Sequence, residues 1–325
     1  MRSVVCRAVG QAIARKGKRM ERPDLNGLIA AIVTPMRSDT SIDEETLRGY
    51  ADWLAGQGVR GLAVNVDTGE GPHLFPEERL RVLEIVVEAV GGRALVVAGL
   101  AASFTEQARR LAADTARAGA DALLVFPISA YQGEPLDPEI PASYHRAVAE
   151  ASGLPLIAFQ LQPALGGVSF SAEAIERIMG IDGVVAIKEA SFDAKRFVET
   201  ARLVTSLPSA PTVLNGNDNF LLEAYLLGAE GALLGFGTLA AREQVQLHQA
   251  VREHDLPRAF ELRDMLQPLC DAIFAPPVRD YRARLKHALM RLGVIGEAHV
   301  RPPLRPLSKD AGDLVDGALK EAGLR

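Results

Sequence analysis

Residues 183–191 read GVVAIKEAS, in which an apolar run is followed by the charged residues Lys188 and Glu189. A continuous apolar run of this length is typical of a parallel strand that is covered on both faces. Lys188 follows the apolar residues directly, at the C-terminal end of the predicted strand. Parallel strands of a barrel carry their functional groups at that end. The side chain therefore points either into the mouth of a barrel or towards the helices that surround it.

Seven further apolar runs resemble this one, and amphipathic segments separate them. The eight runs lie at 28–34, 61–66, 94–99, 121–126, 155–160, 183–188, 211–215 and 230–235. Eight strands alternating with helices over roughly 230 residues predict an α/β fold, a (β/α)8 TIM barrel, at 26–255. A doubly wound sheet alternates in the same way, but no G-x-G-x-x-G follows the first run. After residue 255 only helical periodicity remains, so 256–325 is predicted to be a C-terminal helical appendage.

Several residues predict where individual helices begin. Ser41 stands three residues before Glu44, which is the spacing of a capping box. Pro76 is placed to open the next helix, since proline fits the first turn. Ser171 is expected to cap the helix after the fifth strand.

Composition excludes several classes of protein. The 325 residues are 48% hydrophobic and carry a net charge of −5, so neither a nucleic-acid partner nor a membrane span is expected. Cys6 and Cys270 form no disulfide framework and no zinc site, which favours a cytoplasmic location. Residues 1–25 are basic at first and are predicted to be a disordered extension, with Met20 as a candidate start.

Lys188 suggests a specific chemistry. Burial lowers the pKa of an amine, and the neutral amine attacks a ketone to form an imine. The iminium withdraws electrons from the adjacent carbon, which allows a carbon–carbon or carbon–oxygen bond to break without a metal. The alternative is a structural lysine that pairs with a neighbouring acid such as Glu189.

Six segments, in order, resemble the dihydrodipicolinate synthase/N-acetylneuraminate lyase family from Gly27 to about Ser308. They are AIVTP at 31–35, SID at 41–43, DTGE at 67–70, AIKEA at 186–190, NGND at 215–218 and RPPL at 301–304. The resemblance implies a barrel that forms a Schiff base on Lys188 with pyruvate or another 2-oxo acid. It also implies a homo-oligomer, a dimer or a tetramer, without cofactor or metal.

The acid–base residues depart from the family pattern. Ser129 stands where the resemblance places a proton-relay tyrosine, and a serine hydroxyl is far less acidic. Tyr131, two residues on, would have to reach back into the site; otherwise it is an ordinary loop aromatic. Asp67 replaces a threonine of the relay and is a candidate general base or acid, provided that it is protonated or paired beside an anionic substrate. Alternatively, its side chain hydrogen-bonds the loop backbone.

The predicted substrate-binding residues lie in the same loops. By resemblance, Thr68 would hold the carboxylate of the 2-oxo acid, and Gly69 and Gly216 belong to the matching turns. Strand 5 carries FQLQ at 159–162 where the family has Tyr-Asn-Val-Pro, and Gln160 or Gln162 is a candidate for an uncharged or hydroxylated substrate tail. His73 is the one histidine near the expected mouth and a candidate for proton transfer.

These residues predict a Schiff-base-forming lyase. Aldol cleavage or condensation and dehydration of a 2-keto-3-deoxy acid both remain open, because they share the imine. Ala164 stands where the resemblance places an arginine for the second substrate, which argues against an authentic dihydrodipicolinate synthase. The alternatives are a catalytically weak barrel that binds a 2-oxo acid, and a barrel in which Lys188 is only structural.

Overall fold

The computed structural model describes residues 22–325, and within them eight parallel strands close into a barrel. Each strand pairs with the next in sequence, and β8 pairs with β1. The strands are β1 (Leu28–Ala31), β2 (Gly61–Val64), β3 (Leu95–Leu100), β4 (Ala122–Val125), β5 (Leu156–Leu161), β6 (Val184–Ala190), β7 (Thr212–Asn215) and β8 (Gly231–Leu234). The predicted (β/α)8 barrel is confirmed, and each strand lies within or within two residues of its predicted run.

Helices surround the barrel and continue beyond it. Those that alternate with the strands are α1 (Glu44–Ala55), α2 (Pro76–Val90), α3 (Thr105–Arg117), α4 (Glu139–Ser152), α5 (Ala172–Met179), α6 (Ala194–Ser206), α7 (Leu221–Leu226) and α8 (Ala241–Arg252). Three more follow, α9 (Leu256–Ile273), α10 (Tyr281–Arg291) and α11 (Lys309–Glu321). None of the helices within residues 22–325 is long and apolar enough to cross a membrane.

Alternation along the strands divides the core into two parts, because successive side chains of a strand point to opposite faces. Ala186 and Ala190 of β6 pack inside the barrel with residues of the other strands, whereas Ile187 packs between the strands and the helices. Lys188 has the parity of the two alanines and so faces inwards. Glu189 has the parity of Ile187 and faces the helices.

The helix starts agree with the sequence at some positions. Pro76 opens α2, and the Ser171 hydroxyl accepts the Ala174 N–H at the start of α5. The predicted cap at Ser41 is wrong. Asp43 caps α1 instead, because its carboxylate accepts the Thr46 N–H and its position is one residue before Glu44.

The first described residues of the chain lie at the end of the barrel where the strands begin. The extension predicted at 1–25 lies outside the described residues up to residue 21. Arg22 donates hydrogen bonds to the carbonyls of Val185 (2.8 Å) and Ala210 (2.6 Å), and Leu25 is buried. Residues 22–25 therefore already contact the floor of the barrel, next to the starts of β6 and β7.

Candidate active site

A pocket opens at the C-terminal ends of the strands, where parallel barrels carry their chemistry. Its polar lining comes from five residues: Asp67, Thr68, Lys188, Asp218 and Tyr281. The rest of the lining is apolar or glycine: Ala31, Val66, Phe126, Phe159, Leu161, Leu165, Ala190, Phe192, Gly216, Gly235, Phe274 and Val278. A few polar groups at the end of an apolar cavity are typical of a small-molecule site.

Lys188 lies inside this pocket without a carboxylate to hold it. Within residues 22–325 no acidic oxygen is in salt-bridge range of its Nζ, which lies 4.3 Å from the centre of the Phe159 ring. Burial lowers the pKa of Lys188 to about 8, although the more distant charges of Asp218 and Asp67 oppose this shift. A substantial fraction of the amine is therefore neutral near pH 8 and able to act as a nucleophile.

Glu189 is not the partner of Lys188. It points outwards and accepts hydrogen bonds from Gln160 (3.1 Å) and Asn217 (2.9 Å) in the layer below the helices. Gln160 is fully buried there, where it also bonds Thr200 and accepts the Phe170 N–H. The structure therefore does not bring Gln160 to the pocket, because the strand register places it beside Glu189, and Phe159 beside Lys188.

Asp67 is held at the rim by the C-terminal appendage. Its carboxylate forms an ion pair with Arg282 and accepts a hydrogen bond from the Tyr281 hydroxyl (2.8 Å). Arg282 also donates to the Asp67 carbonyl (2.8 Å). Asp67 is thus paired, which is the condition expected of an acid beside an anionic substrate. The alternative, in which its carboxylate bonds the loop backbone, is not what the structure shows.

Tyr281 lines the pocket and Arg282 pairs with Asp67 at its rim, although the site prediction included neither. Both belong to α10, which the periodicity places on a helix but not over the barrel. Tyr281 is buried, and its ring stacks on Phe274 with the ring centres 5.3 Å apart. Its hydroxyl also lies 3.4 Å from the Thr68 hydroxyl. The appendage therefore closes one side of the pocket.

Gly216 makes room for the lysine. A β-carbon at this position would lie 2.6 Å from Cε of Lys188 and 2.8 Å from the Ala190 side chain. The turn after β7 thus requires glycine so that the amine can enter the pocket. Gly69 lines no part of the pocket, since it packs on β1, and its carbonyl accepts the Thr34 hydroxyl (2.7 Å).

Asp218 is a second acid of the pocket, and the site prediction did not include it. Burial raises its pKa to about 6, although the Phe236 N–H donates to its carboxylate (2.9 Å) and the charge of Lys188 favours ionisation. Its position in the NGND turn after β7 was the available signal, because polar residues that follow a barrel strand reach the catalytic end. The opposite charges of Lys188 and Asp218 favour each other's ionised form.

Three other predicted residues lie away from the pocket lining. Ser129 is exposed at the start of a short 3₁₀ turn. Tyr131 does not reach back, because its ring is buried between Tyr144 and Phe170. His73 lies behind the loop after β2, where its carbonyl accepts a hydrogen bond from Arg301 (3.0 Å).

The opposite end of the barrel holds a larger groove of about 730 Å³ beside Gly27 and Leu95. Two of its arginines are engaged by carboxylates, Arg60 by Asp24 and Arg93 by Asp52. No lysine of the described residues lines this groove, so it offers no amine for imine formation. No cluster of metal-ligating side chains occurs in the part of the chain that the structure describes.

Comparisons with known proteins agree with the fold. Residues 24–322 match the sequence model of the dihydrodipicolinate synthetase family. The chain is 35% identical over 300 residues to a 4-hydroxy-tetrahydrodipicolinate synthase of Neisseria meningitidis, covering 92% of this chain and 99% of the relative. Among solved structures it is similar to a monomeric dihydrodipicolinate synthase variant (TM-score 0.85, 28% identity, 94% of this chain and 99% of that chain). It is also similar to the dihydrodipicolinate synthase of Acinetobacter baumannii complexed with pyruvate (TM-score 0.82, 29% identity, 93% and 100%).

Proposed function

This chain belongs to the dihydrodipicolinate synthetase family, and from that premise we propose that it is a lyase that binds pyruvate as an imine on Lys188. The class is that of the class I aldolases, to which members of the family belong. The observation that carries the proposal is the inward-facing amine of Lys188 in this pocket. Burial lowers the pKa of this amine, and no carboxylate of residues 22–325 is in contact with it.

The chemistry of the amine follows from its surroundings. Neutral Lys188 attacks the C2 carbonyl of the 2-oxo acid, and loss of water gives the iminium. The positive charge draws the electrons of a bond at C3 towards nitrogen, so that cleavage leaves an enamine. Phe159 supports this cation, since a positive nitrogen over the face of an aromatic ring is stabilised.

Thr68 is the proposed site for the carboxylate of the 2-oxo acid. It lies in the turn after β2, its hydroxyl reaches the pocket, and its backbone N–H donates to no atom of residues 22–325. A short hydroxyl beside a free N–H suits one carboxylate. Because the Asp67 charge is paired with Arg282, it offers less repulsion to that anion.

The second part of the substrate is proposed to be apolar. Four phenylalanines together with Leu161, Leu165, Val66 and Val278 form most of the wall. A polyhydroxylated sugar acid would leave its hydroxyl groups without partners along such a wall, which is costly. The lining therefore favours aldol cleavage or condensation with an apolar aldehyde over dehydration of a sugar acid. The same observation supports a substrate other than the second substrate of an authentic dihydrodipicolinate synthase.

We also propose that the protein works in the cytoplasm as a homo-oligomer. The family resemblance supports both points, and the buried free thiol of Cys270 suits a reducing compartment. Sedimentation analysis at micromolar concentration tests the assembly.

Trapping with pyruvate and borohydride tests the imine. Intact mass should show one reduced pyruvate on the wild-type protein and none on Lys188→Ala. Lys195→Ala serves as the matched control, because its amine lies on the outside of α6 with an 85% exposed side chain. Trapping that persists in Lys188→Ala would overturn the proposal.

A further inference from the structure

Phe159 leaves the centre of the pocket without a hydroxyl group. It stands at the first position of the segment that resembles Tyr-Asn-Val-Pro, and its ring is the nearest aromatic neighbour of the Lys188 amine, at 4.3 Å. A phenyl ring neither donates nor accepts a proton. The hydroxyl that an imine-forming lyase needs beside the reacting carbons must therefore come from another element.

One tyrosine meets this need. Of the five tyrosines of the chain, at 50, 131, 144, 225 and 281, only Tyr281 lines the pocket of Lys188. Its ring contacts Phe274 and the Arg282 guanidinium, which lies 4.9 Å from the ring centre. Its hydroxyl points at the Asp67 carboxylate, 2.8 Å away.

We propose that Tyr281 is the catalytic acid–base residue of this enzyme and that Asp67 is the carboxylate at the other end of its proton relay. The inference rests on the proposed imine on Lys188 and adds the path of the proton. In the imine of pyruvate one C3–H bond breaks, and its electron pair forms the C2–C3 double bond while the C=N electrons move to nitrogen. The C3 proton passes to the Tyr281 oxygen as the phenolic proton passes to the Asp67 carboxylate. The enamine and a neutral Asp67 are the products of this step.

The surroundings of the pair suit a relay rather than a standing phenolate. Burial, followed by the charge of Asp67, raises the pKa of Tyr281 well above its ordinary value, so the phenol remains protonated between turnovers. Arg282 holds the carboxylate in place through its ion pair. The Asp67 side chain is 42% exposed, whereas Tyr281 is buried. Asp67 therefore connects the enclosed Tyr281 hydroxyl with water, and the proton that Asp67 received is released to the solvent or returned to Tyr281.

Proton exchange on pyruvate itself tests the relay without knowledge of the second substrate. In D₂O the wild-type enzyme should replace the methyl protons of pyruvate by deuterium, followed as loss of the methyl signal in proton NMR. Tyr281→Phe keeps both ring contacts and removes only the hydroxyl. We expect its exchange rate to fall by roughly 100-fold or more, the usual contribution of a positioned acid–base group, while borohydride trapping stays within about threefold.

Tyr144→Phe is the matched control, because its hydroxyl is also buried but has no partner among residues 22–325 and lies outside the pocket. Its exchange rate should remain that of the wild type. Asp67→Asn leaves the tyrosine ring untouched and breaks the relay at its other end, so it should slow exchange by about tenfold or more with trapping retained. It therefore tests the relay even if Tyr281→Phe folds poorly, which thermal unfolding would reveal.

The outcomes separate the two proposals. Normal exchange in Tyr281→Phe, or a loss of trapping as large as the loss of exchange, overturns the assignment of Tyr281 and leaves the imine intact. Trapping without any exchange in the wild type also overturns it. Absence of trapping in the wild type overturns the imine on Lys188 and the relay with it.

Discussion

Replacing Asp218 by asparagine should make imine formation faster at neutral pH, although it removes a carboxylate from the pocket. Asparagine keeps the size of the side chain and an oxygen to accept the Phe236 N–H, 2.9 Å away in the wild type. What it removes is a negative charge that favours the protonated form of Lys188. The pKa of Lys188 must therefore fall below its wild-type value of about 8.

The size of the effect follows from the fraction of neutral amine. At about pH 7 a lysine with a pKa of about 8 is roughly 9% neutral, against about 0.03% at the ordinary value of 10.5. Losing a nearby opposite charge shifts a pKa by about one unit, which would make roughly half of the amine neutral. Imine formation at pH 7 should then be about fivefold faster in Asp218→Asn.

The pH dependence distinguishes this explanation from a general activation. Above the pKa of Lys188 both proteins carry the neutral amine, so their rates should converge. Below about pH 6 Asp218 is itself protonated in the wild type, because burial has raised its pKa to about 6, and the rates should converge again. The faster imine formation of Asp218→Asn is therefore confined to a window between about pH 6 and pH 8.

Single-turnover trapping with pyruvate and cyanoborohydride, sampled across this window, measures the rate. Lys188→Ala in the Asp218→Asn background is the blank. A slower reaction of Asp218→Asn at pH 7, or a profile identical to that of the wild type, would refute the reasoning. The first result would mean that Asp218 handles a proton during imine formation, and the second that its charge does not reach the amine.

Three further changes test other parts of the structure. Gly216→Ala places a β-carbon 2.6 Å from Cε of Lys188 and should cut trapping by at least about tenfold, whereas Gly49→Ala, which meets nothing within 4 Å, should leave trapping unchanged. Glu70→Gln leaves the buried ammonium of Lys286 without its counter-charge and should lower the free energy of unfolding by about 3 kcal/mol in urea titrations; a loss under about 1 kcal/mol would contradict a structural role for the pair. In condensation with pyruvate, benzaldehyde should show a higher kcat/KM than glyceraldehyde, and the reverse order would speak against an apolar second substrate.

The strands and the lysine were predictable because both depend on local sequence. A strand covered on both faces leaves a continuous apolar run, and a charge that follows such a run needs an explanation. The family resemblance added the identity of the loops after β2 and β7. The outward orientation of Gln160 could also have been predicted, since it has the opposite parity to Phe159 and so points away from the barrel interior. The predicted cap at Ser41 was wrong because the carboxylate of Asp43, directly before Glu44, caps α1 instead.

The contribution of α10 was not predictable from local sequence. Periodicity shows that Tyr281 and Leu285 share a buried face, but it does not show against what they are buried. The contact of Tyr281 with Asp67 spans 214 residues, and that of Lys286 with Glu70 spans 216. Contacts of this range depend on how the appendage docks, which no short motif encodes.

The docking of α10 makes the loop after β2 and the C-terminal segment interdependent. A nonsense mutation near codon 276 would spare every strand and Lys188. The encoded protein would nevertheless have a pocket open to solvent on one side, because it would lack Tyr281, and Glu70 would lose its partner Lys286. Grafting a foreign C-terminal segment onto this barrel would likewise replace the tyrosine that lines the pocket. Recombination between relatives should therefore yield active enzymes only when the loop after β2 and the segment from Tyr281 are inherited from the same parent.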